Sequence, residues 1–356
     1  MITVDDVIRG LPRGQGEELV APDYESDCEC KGISDYRVGL YVESMKNHTT
    51  DEGYQIYQGL ASAGYYLYAG MATDALHQER DVRWIMREPH PHTIVLQDKR
   101  EWEGLTASKG FDNRESFINV KALKGRHDVF KLTILKDAQN RNAYHHESAD
   151  EIGCHAWIVY YHSRIIKHVA PFVRERHLVR TYHTVDKDIV PPYTDKNRKN
   201  KALLSGAISG AYPLRQRLHK ASAGKWDYRM HPGYGRTRCD TPEYIKALSH
   251  YKVAICTASK YGYATRKIIE ATAAGCRVIT DLPSNDILPG IDDNLTRVNP
   301  TSSASQIAQL VDALVKSYDP IDQYNYSEIA KTYYDYRKMG KKLADDIEAM
   351  RSGYNG

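Results

Sequence analysis

The chain contains no stretch long and apolar enough to span a bilayer, and MITVDDVIRGLPRG at its start has no apolar core of the signal-peptide kind. Charge of one sign is also missing: 49 Lys and Arg against 46 Asp and Glu leave a net +3, which excludes a polycationic nucleic-acid binder but not a local basic cleft. The six cysteines have no paired spacing beyond Cys28-Glu29-Cys30, so neither a disulfide framework nor a complete zinc site is indicated. Cys-x-Cys as half a zinc site stays open beside the structural reading. Reduced thiols suit a cytoplasmic protein, and the sequons at Asn47, Asn294 and Asn325 then read as chance matches. No solenoid repeat is visible. Phenylalanine is scarce, 4 residues against 27 tyrosines, so most aromatic surface carries a hydroxyl and suits the half-exposed walls of a polar cleft, or reflects compositional habit.

What is present is an α/β pattern in a chain of 356 residues, enough for two domains. Residues 1–35 are polar and aperiodic and read as a poorly ordered arm; 36–190 form an expected first Rossmann-like domain. Within it, YRVGLYVES (36–44) predicts a strand, GYQIYQGLASAGYYLYAG a helix, and HTIVLQD (92–98) a strand. HDVFKLTILKDA (127–138) alternates as a strand with one partly solvated face. AWIVYYHS, RIIKHVAPFVRER and HLVRTYHTVD then read as β-α-β. Two prolines and the charges of KNRKNK predict a linker over 191–202, followed by a second Rossmann-like domain over 203–322. Residues 323–356 read as terminal helices that pack back on the first domain.

The densest signal is Tyr244–Asp281, which alternates helix, strand, loop, helix and strand. KVAICTAS is an apolar run typical of a buried parallel strand, KIIEATAAG a helix closed by Gly275. A loop from a strand's C-terminal end to a helix N-terminus is where such sheets bind phosphorylated ligands. Glu270, one turn into this helix, is placed to bond a ribose. Its neighbours Ile268, Ile269, Ala271 and Ala273 leave little polar face, which argues against a merely solvated carboxylate. Arg266 and Lys267 at a helix N-terminus oppose its dipole and need an anion to justify them, a solvent-facing basic pair being the alternative.

These residues resemble the GT-B glycosyltransferases, especially the retaining group-1 branch and its spore-coat-maturation-type members. KIIEATAAGCRVITD is similar to their donor helix, LLSGAISGAYPLRQRL to the opening of their C-terminal domain, and WIVYYHS with HLVRTYHTV to the last β-α-β of their N-terminal domain. Many retaining members carry a second glutamate eight positions before the first; here that position is Gly262. The resemblance implies two Rossmann-like domains facing each other across a cleft, and transfer of a sugar from a UDP- or GDP-sugar to an acceptor hydroxyl, with retention. It implies donor contacts from Glu270, Arg266, Lys267, Thr265, Gly206, Gly210, Arg215 and Gly262. His183 is placed at the reacting centre with His162 assisting, and no metal or other cofactor is required.

Asp98, Glu101, Asp186 and Asp188 are carboxylates near the expected cleft, and none is singled out as a base. Arg83, Arg87, Lys99 and Arg100 beside Trp84 and Trp102 suit an anionic polymer, a polysaccharide or plain solvent. A hydroxymethylated DNA base, flipped from the duplex as for phage enzymes of this fold, is therefore one candidate acceptor. A His90-Pro91-His92 metal site lacks a carboxylate at ligand spacing. The rival readings are a sugar-nucleotide epimerase of the same architecture and a non-catalytic nucleic-acid-binding protein.

Overall fold

The computed structural model describes residues 37–42, 52–70, 91–96, 123–135, 152–170, 173, 177–221, 224–230 and 241–354. Residues 1–35, Asp98, Glu101 and the Arg/Lys/Trp group over 83–102 lie outside the described residues, as do His145, His146 and Cys239.

Two open parallel sheets organise the described chain. The first has the order β2-β1-β3-β4-β5-β6, formed by β1 (Arg37–Val42), β2 (Tyr66–Gly70), β3 (Thr93–Leu96), β4 (Phe130–Leu135), β5 (Ala156–Val159) and β6 (Leu178–Arg180). The second has the order β11-β10-β9-β7-β8, from β7 (Lys199–Ser205), β8 (Trp226–Arg229), β9 (Tyr251–Ile255), β10 (Arg277–Thr280) and β11 (Leu295–Arg297). In each, the winding reverses once, between β1 and β3 and between β7 and β9, and such switch points open a crevice at the strands' C-terminal ends.

The helices among the described residues are α1 (Glu52–Ser62), α2 (Ser163–Val169), α3 (Pro213–Ala221), α4 (Thr241–Leu248), α5 (Arg266–Ala273), α6 (Ala304–Lys316), α7 (Pro320–Tyr333) and α8 (Tyr336–Tyr354). Period-2 alternation sorts the second sheet's side chains to two cores. Ala202, Leu204, Val253 and Ile255 meet α3 and α6 through Leu214, Leu218, Ile307 and Val311. Leu203, Ala254 and Val278 meet α4, α5 and α7 on the other face. Ser303 and Gln306 form a capping box that starts α6.

Three sequence expectations change. The segment read as one helix over 53–70 is a helix followed by a strand: Gly64, at φ +90°, ends α1, and the aromatic run behind it becomes β2. β4 is buried along its whole length, with no solvated face, because it is flanked by β3 and β5 and covered on both sides. Lys131 fits there, 1% exposed, because its ammonium donates to the Leu123 carbonyl at 3.0 Å. The segment read as linker over 191–202 gives up its last residues to β7, which starts at Lys199.

The chain passes between the two sheets twice, and the passages are paired. Val185 bridges Asp335: its N–H donates to the Tyr334 carbonyl at 2.9 Å, and its own carbonyl accepts from Tyr336 at 3.2 Å. Thr184 donates to Gln55 of α1 at 2.7 Å. Beyond this point α8 runs over the first sheet's elements, against α1 and β6. Gly59 and Gly340 meet backbone to backbone, and a Cβ on Gly340 would lie 2.1 Å from the Gly59 carbonyl carbon.

Candidate functional site

The switch point of the second sheet brings together the loop after β7 and the loop after β9. Gly206 ends β7 at φ +117°, and a Cβ there would lie 2.4 Å from Arg215 Nη1 and 3.1 Å from Lys267 Cε. The backbone and two cations from different helices thus meet at one glycine. Arg215 is 1% exposed. It lies over the Tyr212 ring at 3.9 Å and donates to the carbonyls of Ala207 at 3.1 Å and Thr257 at 3.3 Å. Burial pulls its pKa down, yet a guanidinium stays charged in the working pH range.

Lys267 responds more strongly: burial, with Arg215 beside it, pushes its pKa down to about 8. Among the described residues no carboxylate lies within ion-pair distance of it. Asp281 at the end of β10 is raised by burial, and its Oδ1 is held by the Ala258 N–H at 2.6 Å.

α5 begins at Thr265, whose side chain makes no capping bond and whose hydroxyl is buried without a hydrogen-bond partner. The Thr257 hydroxyl and Arg215 Nε share that condition. Buried donors of this kind, beside Arg215, Lys267 and an uncapped helix start, are groups that an anion would satisfy. Arg266 does not join it as a free cation. Its Nε lies 3.0 Å from Glu270 Oε1, so the two form a buried ion pair one turn apart on α5. The sequence assigns Arg266 to the diphosphate directly; in the structure its guanidinium lies beside the Glu270 carboxylate.

Gly262 adopts φ +75° in the same loop, against Pro283, while Gly210 faces open space after β7. His183, beyond β6, is buried and stacked on Tyr160 at 4.7 Å. Its Nε2 lies 3.0 Å from the Ala264 carbonyl, one residue before the α5 cap. A carbonyl only accepts, so the proton sits on Nε2. Burial, with Arg266 and Lys267 near, pushes the pKa down to about 3, and the ring is neutral.

His162 stands elsewhere in the fold's logic: its Nδ1 accepts from the Arg164 N–H at 3.2 Å, capping α2. Asp186 and Asp188, read as cleft-edge carboxylates, are instead gathered with Asp335 around Arg337 at the paired passage.

Sequence reasoning did not single out several residues that shape this region. Tyr161 packs on Tyr263 at 4.3 Å, and Arg180 pairs with the buried Asp286 at 2.6 Å, both joining the two halves. At the far end of α5, Arg198 donates to the carbonyls of Ala274 at 2.8 Å and Gly275 at 3.2 Å. Thr257 alone had a readable signal, its place at a strand's C-terminal end.

Among the described residues no group of three or more His, Cys, Asp or Glu is arranged for a metal, and no helix is long and apolar enough to cross a membrane. No protein-family model matches the chain, and no curated protein matches it in sequence. Solved structures do match. AviGT4, a glycosyltransferase involved in avilamycin A biosynthesis, is 8% identical, with a TM-score of 0.51 over 89% of this chain and 98% of that one. Anabaena HepE in complex with UDP and glucose is 10% identical, with a TM-score of 0.55 over 88% of this chain and 100% of that one. A glycosyltransferase from Rickettsia africae is 11% identical, with a TM-score of 0.51 over 89% and 99%. At such identities the likeness is one of fold, and the chain has the GT-B architecture of two Rossmann-like halves about a cleft.

Proposed function

We propose that this protein is a glycosyltransferase that takes a sugar from a nucleoside diphosphate sugar and passes it to an acceptor hydroxyl. The observation that carries the reading is the unneutralised pair Arg215 and Lys267 at Gly206, beside the uncapped start of α5. A diphosphate would accept from both cations, from the Thr257 and Thr265 hydroxyls and from the first amides of α5. Glu270, held by Arg266, would accept from the ribose hydroxyls. The chain's own cations then stabilise the leaving diphosphate, so activity is expected to survive EDTA.

His183 acts in this scheme as a neutral group that holds the Ala264 carbonyl, and so the α5 loop, from the opposite half. Retention is part of this reading: the leaving diphosphate itself can take the acceptor proton, so the step needs no dedicated base. UDP is the first donor to try, because HepE, of the same fold, was solved with UDP and glucose. The acceptor is a hydroxyl on a polysaccharide or on a hydroxymethylated DNA base. A cytoplasmic setting is part of this reading and suits the thiols of Cys154, Cys256 and Cys276, which are unpaired among the described residues.

Thermal denaturation with UDP, GDP, ADP, TDP, CDP and the matching sugar nucleotides tests the donor site. A ligand at a hundred times its Kd stabilises the native state by about 2.7 kcal/mol. One nucleotide should raise Tm in the native protein and fail to do so in Glu270→Gln, which keeps the shape around Arg266. Equal stabilisation of both proteins would remove Glu270 from the site. Steady conversion of the donor without any acceptor would point to an epimerase instead.

A further inference from the structure

The opposite, N-terminal edge of the first sheet holds a second concavity. His92, His155 and His177 immediately precede β3, β5 and β6, and His127 lies just before β4. Because these strands are parallel neighbours, the sheet lines the imidazoles up along one edge. A cavity of about 220 Å³ opens there among His92, His127, His155, Phe130, Arg351 and Tyr354.

Its charges are already matched. Arg126 holds both oxygens of Asp128, at 2.8 and 2.6 Å, and Arg351 Nε lies 3.1 Å from each oxygen of Glu348. His155 accepts the Lys131 backbone N–H on Nδ1 at 3.0 Å, which leaves its proton on Nε2. Burial, with Lys131 and His127 near, pushes its pKa down to about 4, so this ring is neutral. The Lys131 ammonium is turned away, to the Leu123 carbonyl. An oxyanion would find no unmatched guanidinium here. The wall is aromatic: Phe130 and His155 stack at 5.3 Å, and Tyr354 stands edge-on to His155 at 5.0 Å.

We propose that this cavity binds one neutral sugar ring, at a site separate from the cleft. With Nδ1 taken by the Lys131 N–H, the neutral His155 ring still offers its Nε2–H to a sugar hydroxyl oxygen. The apolar C–H face of a pyranose carries slight positive charge and suits the negative face of an aromatic ring. A space of this size holds a single ring rather than a chain. The inference does not depend on the transferase reading; if both hold, the far edge of the first half grips a saccharide while the cleft acts on another part.

The test is saturation-transfer NMR and calorimetry with glucose, galactose and N-acetylglucosamine, with inorganic phosphate as the oxyanion probe. Native protein is compared with Tyr354→Ala, His127→Ala and Glu270→Gln. Tyr354 is 53% exposed and His127 is also exposed, so neither substitution endangers folding. The expected result is that one sugar binds, at least tenfold more weakly to Tyr354→Ala and His127→Ala, and unchanged to Glu270→Gln. Loss in Glu270→Gln alone would place the sugar in the cleft and overturn the proposal. Binding of phosphate at this edge, or of no sugar at all, would overturn it equally, whatever the donor experiment shows.

Discussion

His183 Nε2 and the Ala264 carbonyl are 3.0 Å apart, a hydrogen bond from the first half of the molecule to the loop that starts α5 in the second. The ring is held neutral, with a folded-state pKa of about 3 against an ordinary 6.5. Between those values the unfolded chain binds more protons than the folded one. The stability this ring contributes is therefore complete above pH 6.5 and is lost as pH falls toward 3. Tm should drop from pH 6.5 to 4.5, and His183→Gln should flatten that drop in part, since His155 titrates in the same direction. An unchanged slope in the variant would remove the ring from this role. Ring NMR should also find His183 uncharged at pH 5.

Lys267 has the opposite use for its proton. With a pKa near 8 it is charged at neutral pH and loses its charge above. If it binds the donor diphosphate, affinity for the preferred nucleotide should be nearly full below pH 7 and fall about tenfold between pH 7 and 9. The bound anion raises the lysine pKa, so calorimetry near pH 8 should register proton uptake. Lys267→Gln should bind weakly at every pH, with no slope; a slope that persists would belong to another group.

Arg198 is predicted to matter to stability more than its place beside the two prolines suggests. It is 7% exposed, and its guanidinium covers the carbonyls of Tyr251, Ala274 and Gly275, at the negative end of the α5 dipole. Arg198→Met should cost about 3 kcal/mol in denaturant unfolding, because it strands buried acceptors. Arg198→Lys should recover only part of that, since one ammonium cannot serve three carbonyls through a planar fork.

The α1–α8 contact allows no side chain at its closest point. Gly340→Ala would place a Cβ within 2.3 Å of three Gly59 backbone atoms, so the helices must separate. The expected loss is about 3 kcal/mol, at the upper end for overpacking, read as a lower Tm. Gly353→Ala, with nothing within 4 Å, is the control on the same helix and should be neutral or slightly stabilising.

Much of the architecture was legible in the sequence, because it rests on local rules. Apolar runs such as KVAIC and CRVIT become buried strands, Gly275 ends α5 at φ +81°, and the strand–loop–helix order implies parallel sheets. Where a local rule had two outcomes the reading failed, as at Gly64, where an amphipathic helix hands over to a strand. The same local logic put Thr265, Lys267 and Glu270 on one helix start and Gly206 and Arg215 around one turn.

Only the tertiary structure decided how these charges are shared. Helical geometry sets Glu270 and Arg266 one turn apart in a buried place, where their charges pair, whereas Lys267 faces Arg215 across Gly206 with no carboxylate of the described residues within ion-pair distance. The neutrality of His183 comes from its burial against the loop before α5, with Arg266 and Lys267 near, and the imidazole row at the far sheet edge exists only because β3 to β6 are neighbours. Charge state and shared location depend on burial and on which strands lie side by side, and neither is written in any short stretch of sequence.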